Sequence, residues 1–249
     1  MDKYMSKSMR LDKFLAEHTE FSRSSIKAEL KKGIVTVNGT VVTVPETKID
    51  PEADTITFKD EVLSYREFSY FMLHKPAGVV SATEDTRDKT VLSLLPPHLR
   101  KDIFPVGRLD KDTEGLLLLT DDGALAHDLL SPKKHVDKTY FVRLKHPASE
   151  ADVLRFSEGL DIGEDKPTLP AVLAPLNGDE CLVTIREGKF HQIKRMFHAC
   201  NNEVLYLKRL SMGPLKLDNA LQPGEYRVLT EEEITALQNV NQAQRPVSS

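Results

Sequence analysis

The pattern of apolar and polar positions divides the chain into a short N-terminal unit and a longer remainder. The apolar residues of 11–15 have helical spacing, and Ser22 can cap a second helix that stops at Gly33. The segment 34–44 predicts a hairpin that turns at Asn38-Gly39, because this dipeptide tolerates the positive φ angles of a two-residue turn. The N-terminal unit is therefore predicted to be two helices that lead into a β-ribbon.

After a polar, acidic joint at about 60–67, the remainder alternates strand-like and helix-like segments. The predicted strands are 70–73, 116–120, 139–144, 181–185 and 204–210, and the predicted helices are 122–130, 151–158 and 190–200. The strands are too irregularly spaced for a doubly wound fold. We therefore predict an α+β protein with a mixed, mainly antiparallel sheet.

Composition limits the protein class and the domain count. At 249 residues with 40% hydrophobic content, the chain can build one large and one small core. We place the small domain at 9–66, the large domain at 67–238 and a disordered tail at 239–249. No segment approaches the roughly 20 apolar residues of a membrane helix, so the expected location is the cytoplasm, without membrane association. The two cysteines lack the spacing of a zinc site, so neither a metal nor a disulfide is predicted.

The segment 107–115 places Asp110 in a loop bracketed by two glycines, and four leucines follow it directly. Glycine lets a backbone turn tightly and approach a ligand, and a buried strand would hold the loop still, so this segment predicts an active-site loop. A calcium loop is disfavoured, because Leu118 takes the ninth position and Asp121 rather than Glu takes the twelfth. An aspartate that only caps a turn remains an alternative.

The charge distribution favours a nucleic-acid partner more than the net charge of -4 does. Segment 186–209 carries six Lys or Arg against two acids, and segment 133–145 carries five against one. Such patches can follow a phosphate backbone, although solvated surface faces would have the same composition. The predicted N-terminal helices add a further cationic set, Arg10, Lys13, Arg23, Lys27 and Lys31.

Four segments carry a family resemblance. The N-terminal unit, from Met9-Arg10-Leu11-Asp12-Lys13 to Val37-Asn38-Gly39, resembles the S4 RNA-binding domain. Pro105-Val106-Gly107-Arg108-Leu109-Asp110, Lys138-Thr139-Tyr140 and the string Gly188-Lys189-Phe190-His191-Gln192-Ile193-Lys194-Arg195-Met196-Phe197 resemble the RsuA branch of the ribosomal-RNA pseudouridine synthases. The match runs from residue 9 to about 236. It implies a small S4-like domain followed by a pseudouridine synthase domain.

The resemblance implies roles for individual residues. Asp110 would be the catalytic carboxylate, Tyr140 the aromatic side chain against the target base, and Lys194 the cation paired with Asp110. Arg108 and Arg195 would handle phosphate or loop geometry. Asp110 would act either as a nucleophile or as the base that removes a sugar proton. The isomerisation needs no redox step, so no cofactor is expected.

The expected RNA contacts extend beyond the catalytic loop. His191 is included among them, and its separation of seven residues from His198 on the predicted helix is too large for a shared metal. The full set is Arg10, Lys13, Arg23, Lys27, Lys31, Asn38, Arg108, Lys133, Lys134, Lys138, His191 and Arg195.

The expected reaction is conversion of one uridine of 16S ribosomal RNA to pseudouridine, of the type at position 516. The expected partner is small-subunit RNA or an assembly intermediate, and the protein is expected to be a monomer. Three alternatives remain open: a synthase acting on 23S RNA, a non-catalytic ribosome-assembly factor, and a metal-dependent nuclease using Asp110, Asp112 and Glu114.

Overall fold

The structure is a computed structural model that describes residues 8–63, 65, 67–131 and 134–242. It divides into two compact units, Met1–Glu67 with Pro96–Lys101, and Phe68–Leu95 with Asp102–Ser249. Lys133 and the segment 243–249 of the expected tail lie outside the described residues.

Within its described residues, the small unit contains two helices and six short strands. In chain order these are β1 (Met9–Arg10), α1 (Leu11–His18), α2 (Arg23–Leu30), β2 (Val35–Val37), β3 (Thr40–Val41), β4 (Lys48–Ile49), β5 (Ile56–Phe58) and β6 (Glu61–Leu63). An antiparallel sheet has the order β3-β2-β5-β6, and β1 pairs with β4.

The predicted helices and hairpin of the small unit are confirmed. The Ser22 side chain accepts a hydrogen bond from Ser25 N at the start of α2. Asn38 and Gly39, with φ angles of 52° and 80°, form the turn between β2 and β3. The apolar faces of both helices pack with β2 and β5 in a buried cluster centred on Phe14 and Ile26. The small unit therefore has a core of its own.

The acidic joint predicted at 60–67 is partly wrong. Lys59 and Asp60 both have positive φ angles and form a second tight turn, after which β6 pairs antiparallel with β5. Strand β6 has three residues, and its central residue, Val62, is 64% exposed. It therefore does not show the alternation of buried and exposed residues that predicts a strand. A three-residue edge strand of this kind is short enough to resemble a linker in the sequence.

The large unit contains the remaining elements. In chain order these are β7 (Tyr70–Lys75), β8 (Phe104–Pro105), β9 (Glu114–Thr120), α3 (Gly123–Leu130), β10 (Lys138–Leu144), α4 (Glu150–Glu158), β11 (Val172–Pro175), β12 (Glu180–Ile185), α5 (Gln192–Ala199), β13 (Val204–Met212), β14 (Leu215–Lys216), β15 (Tyr226–Val228) and α6 (Glu231–Gln242). Short 3-10 turns occupy Val91–Leu94 and Pro97–Leu99, the second of which groups with the small unit.

A mixed sheet with the order β11-β12-β10-β13-β9-β7-β15 forms the centre of the large unit. Only the β9–β13 pair is parallel among the pairs described, so the predicted mainly antiparallel sheet is confirmed. The four leucines of β9 are fully buried. Leu116 and Leu118 pack against Leu125 and Leu129 of α3 and Leu237 of α6. This packing fixes the strand that follows the Asp110 loop.

Several element boundaries differ from the predicted ones. Strand β7 continues to Lys75, and β11, β14 and β15 were not predicted. Helix α6 continues to Gln242, through the first four residues of the segment expected to be a tail. No helix in the described ranges combines the length and apolarity that crossing a membrane requires.

Candidate active site

The Asp110 loop connects β8 to β9 and is shaped by its two glycines. Gly107 and Gly115 have φ angles of 77° and 107°, which side chains other than glycine rarely adopt. A Cβ atom at Gly115 would lie 2.2 Å from the carbonyl oxygen of Arg209 on β13. Glycine is thus required at residue 115 for the close approach of the parallel strands β9 and β13.

A buried lysine, Lys75, binds the backbone of the Asp110 loop. The Lys75 ammonium, at the end of β7, donates to the carbonyl oxygens of Asp110 (3.0 Å), Thr113 (2.8 Å) and Pro76 (3.0 Å), with Lys111 at 3.4 Å. Burial lowers the pKa of Lys75 to about 8, although the neighbouring acids oppose the shift. Sequence reasoning missed this residue. Its signal was a lysine at the end of a buried-type strand, directly before Pro76.

A buried serine fixes the other side of the loop. The Ser81 hydroxyl accepts a hydrogen bond from Leu109 N at 3.0 Å and donates to Leu109 O at 2.9 Å. The residue directly before Asp110 is therefore held at both backbone groups. Lys75 and Ser81 together give the carboxylate a preorganised position, the condition that a reactive group needs.

Lys194 bridges two carboxylates of the loop. Its Nζ lies 3.0 Å from Asp110 Oδ2 and 2.6 Å from Asp112 Oδ1. Burial by itself would lower the pKa of Lys194, but the hydrogen bonds and charges of both aspartates outweigh it and raise the pKa. In the same way, burial would raise the pKa of Asp112, but Lys194 lowers it. The geometry meets the requirement of the Asp110–Lys194 pairing hypothesis.

His191 contributes a third group to this cluster. Its Nε2 lies 3.6 Å from Asp110 Oδ1, and its backbone adopts a left-handed conformation with φ 50° as the residue before α5. The predicted helix start at residue 190 is therefore wrong, because α5 begins at Gln192. His191 and His198 consequently do not share one helix, and His198 is exposed near the far end of α5.

Two pockets meet at Asp110. The first has a volume of about 430 Å³ including open solvent and is lined by Asp110, His191, Tyr140 and Arg108. The second, of about 700 Å³ including open solvent, is lined by Asp110, His191, Lys194 and the Ala77-Gly78 turn.

Tyr140 forms part of the floor of the first pocket. It is 7% exposed and lies on β10, where it pairs in register with Val183 of β12 and Arg209 of β13. Ile185 and Leu207 line the same pocket. The strand positions explain this, since a side chain at alternate positions of neighbouring strands reaches the same face of the sheet.

The other acids of the nuclease hypothesis have protein partners. Asp112 pairs with Lys194, and Glu114 Oε2 accepts a hydrogen bond from the Tyr206 hydroxyl at 2.7 Å. Burial and this carboxylate raise the pKa of Tyr206 to about 12. Of the three acids, Asp110 is the one that borders both pockets.

The predicted RNA-contact residues of the large unit fall into different environments. Arg108 is exposed and lines the first pocket. Arg195 is bound to Glu164 at 2.6 Å and to the carbonyl oxygens of Ile162 and Phe190, which corresponds to the loop-geometry alternative. Lys134 is half-buried.

Lys138 does not fit a surface contact with phosphate. It is 8% exposed, and its ammonium donates to the carbonyl oxygen of Val136 at 3.2 Å. Burial lowers the pKa of Lys138 to about 8, and the charge of Arg209 adds to this effect. Its position as the first residue of β10, with alternate side chains buried, explains why it faces inward.

The predicted contact residues of the small unit also separate into two groups. Arg10 and Arg23 both bind the buried Asp12, at 2.8 and 3.1 Å, and hydrogen bonding from Arg10 lowers the pKa of Asp12 to about 2. Asn38 donates to Asp54 and accepts from Thr55 N. The remaining members, Lys13, Lys27 and Lys31, are exposed, so their ammonium groups are accessible to a phosphate.

Comparison with known proteins identifies the class that this fold and site define. The RNA pseudouridylate synthase family matches residues 69–199, and the S4 domain matches residues 9–55. The chain belongs to the RNA pseudouridine synthases and is an isomerase with an N-terminal S4 domain.

Its relatives share almost the whole length. It is 51% identical over 234 residues to the uncharacterized RNA pseudouridine synthase YtzG of Bacillus subtilis, spanning 92% of this chain and 98% of that protein. It is 41% identical to ribosomal small subunit pseudouridine synthase A of Escherichia coli K12, spanning 92% and 100%. A crystal structure of a pseudouridylate synthase matches at 42% identity with a TM-score of 0.66, covering 92% of this chain and 99% of that one.

Proposed function

We propose that this enzyme converts one uridine of small-subunit ribosomal RNA to pseudouridine, and that Asp110 is its catalytic carboxylate. The expected target is the uridine at position 516 of 16S RNA. The small-subunit assignment is supported by full-length similarity to several proteins named ribosomal small subunit pseudouridine synthase A. The catalytic assignment rests on one observation, that the Asp110 carboxylate borders both pockets and lies 3.0 Å from a lysine.

The reaction rearranges the bond between the ribose and the uracil, and it requires one reactive carboxylate. The bond from C1′ to N1 breaks, the uracil turns, and a bond forms from C1′ to C5. The proton of C5 is lost while N1 gains one, so the atoms balance without an external reagent. An ionised Asp110 serves either by attacking C1′ or by removing a sugar proton, and both routes need the negative charge that Lys194 favours.

The target uridine has to leave its stack to reach the Asp110 carboxylate, which lines a pocket. Tyr140 gives the extruded base an aromatic partner in the pocket that Asp110 borders. Stacking on an aromatic ring contributes about 1–3 kcal/mol per base, which offsets part of the cost of extrusion. Arg108, exposed at the same pocket, is suited to a phosphate beside the extruded nucleotide.

Mapping of pseudouridine in both ribosomal RNAs tests the substrate. Purified enzyme is incubated with 16S RNA, 23S RNA and a partly assembled small subunit, in buffer that contains a chelator, and each product is mapped to its nucleotide. We expect one modified uridine, in 16S RNA, either free or assembled, and no loss of activity on chelation. A product confined to 23S RNA would contradict the substrate assignment and leave the reaction class intact.

A further inference from the structure

Phe190 is an exposed aromatic side chain beside the active site. It is 72% exposed, and no other phenylalanine or tyrosine in the described part of the chain is as accessible. Phe190 lies outside α5, in the two-residue approach that the sequence had placed inside the helix.

The ring is stacked on the imidazole of its neighbour. The Phe190 and His191 centroids are 3.8 Å apart with planes inclined by 19°. His191 covers one face of the phenyl ring, and the high exposure of Phe190 leaves the opposite face open to solvent. The far end of this two-ring column reaches Asp110, because His191 Nε2 lies 3.6 Å from its carboxylate.

Neighbouring contacts hold the segment in place. The carbonyl oxygen of Phe190 accepts a hydrogen bond from Arg195 at 3.1 Å. The ammonium of Lys189 donates to the carbonyl oxygens of Lys166 and Pro167, at 2.7 and 3.2 Å. The ring is thus presented by a fixed backbone, so little conformational entropy is lost when a ligand covers it.

The charged groups around the ring are already paired. Arg195 and Lys189 lie 2.6 and 3.7 Å from Glu164. Lys194 is occupied by the two aspartates of the loop. The segment therefore presents a bare aromatic face more than it presents free cations, and the matching ligand group is a planar base instead of a phosphate.

We infer that Phe190 is a stacking platform for a nucleobase of the RNA that flanks the extruded uridine. Extrusion leaves the neighbouring bases without a stacking partner, and the open face of Phe190 replaces it at the end of a column that leads to Asp110. Because a phenyl ring has no hydrogen-bonding group, the platform tolerates any base and contributes affinity without selecting the sequence. The inference rests on the proposed function in placing the reacting uridine at Asp110 and in taking uridine 516 of 16S RNA as the target.

A fluorescent base tests the platform without relying on catalysis. A stem-loop fragment of 16S RNA carries 2-aminopurine on either the 5′ or the 3′ side of uridine 516, and its fluorescence is titrated with the Asp110→Asn enzyme. In this background the chemistry is silent, so a failure of the stack is distinguishable from a failure of the catalytic assignment. We expect stacking to quench the probe at one of the two positions.

Substitutions of Phe190 in the same background give the decisive comparison. Phe190→Ala should remove the quench and weaken RNA binding roughly 5- to 150-fold, the range equivalent to one aromatic stack. Phe190→Trp should retain both. Leu205→Ala is the matched control, because Leu205 is an apolar residue of β13 with 58% exposure, and it should bind like the parent. Unfolding temperatures confirm that each variant is folded.

Either of two results would overturn the inference. Unchanged quenching and affinity in Phe190→Ala would show that the ring does not contact the RNA. Equal losses in Phe190→Ala and Leu205→Ala would show that exposed apolar area in general, and not a stack at this ring, contributes the affinity.

Discussion

Replacing Lys194 by Met removes the cation beside Asp110 and keeps most of the side-chain volume. At the observed 3.0 Å and an effective dielectric constant of about 20, Coulomb attraction between the two charges is on the order of 5 kcal/mol. Both side chains are about a quarter exposed, so solvent screening reduces the attraction. We take about half of it as the effect on the transition state, which corresponds to a fall in kcat of roughly 30- to 150-fold.

Folding should be affected less than turnover. The lost ion pairs are partly exposed, and pairs of this type contribute about 0–1 kcal/mol to stability, so the unfolding temperature of Lys194→Met should stay within a few degrees of wild type. Single-turnover formation of pseudouridine measures the rate, and thermal unfolding measures the fold. Lys194→Arg, which keeps the charge, should retain more activity than Lys194→Met.

Lys111→Met is the matched control for this experiment. Lys111 lies in the same loop, but its ammonium pairs with Asp88 at 2.6 Å and both side chains are more exposed. Its loss changes the net charge by the same amount without removing the partner of Asp110, so turnover should stay near wild type. Wild-type turnover in Lys194→Met, or equal losses in the two variants, would refute the pairing argument.

Three further predictions concern the groups around the loop. Lys75 has a pKa of about 8 in the folded chain and about 10.5 when unfolded, so the folded state binds fewer protons between these pH values. In urea unfolding, the stability of wild type relative to Lys75→Met should therefore rise by about 3 kcal/mol from pH 8 to 10.5. A stability difference that is independent of pH would contradict this. Gly115→Ala should lower the free energy of unfolding by about 3 kcal/mol or more, because its Cβ atom meets the Arg209 backbone. Gly123→Ala places its Cβ in open space and should be neutral in the same unfolding assay. Equal stability of the two variants would contradict the close approach of strands β9 and β13. Tyr140→Phe should keep RNA affinity in a binding titration, since the ring remains; lost turnover would then assign a polar or proton-transfer role to the hydroxyl, and lost affinity would contradict stacking.

Local signals in the sequence were enough for the elements whose causes are local. The Asn38-Gly39 turn and the buried leucines of β9 follow from residue preference and periodicity, and both are present. The mixed sheet also followed from the irregular strand spacing. Family motifs identified Asp110 and Lys194, which are 84 residues apart in sequence and 3.0 Å apart in the fold.

Other features depended on contacts that no local pattern reveals. Strand β6 is recognisable only through its partner β5, because its three residues are too few to show a periodic pattern. The start of α5 is set by the left-handed backbone of His191. The inward orientation of Lys75 follows from four carbonyl oxygens supplied by its own strand end and by a loop some 35 residues away.

Cationic composition was a poor guide to which side chains are left for phosphate contacts. Arg10 and Arg23 are used to hold Asp12 inside the small unit, and Lys138 is buried in the large one. Salt bridges and burial depend on the folded arrangement, whereas a count of lysines and arginines along the chain does not. Lys13, Lys27 and Lys31, whose side chains are exposed, are the better candidates for phosphate contacts among the predicted residues of the small unit.

The single-turnover rate of Asp110→Asn tests whether Asp110 is the catalytic carboxylate. The substitution removes the charge and keeps the shape, and Asp112→Asn is its matched control, because Asp112 binds the same lysine but does not border the pocket that contains Tyr140. We expect no detectable pseudouridine with Asp110→Asn, a measurable rate with Asp112→Asn, and RNA binding by both. Pseudouridine formed by Asp110→Asn at a rate near wild type would contradict it.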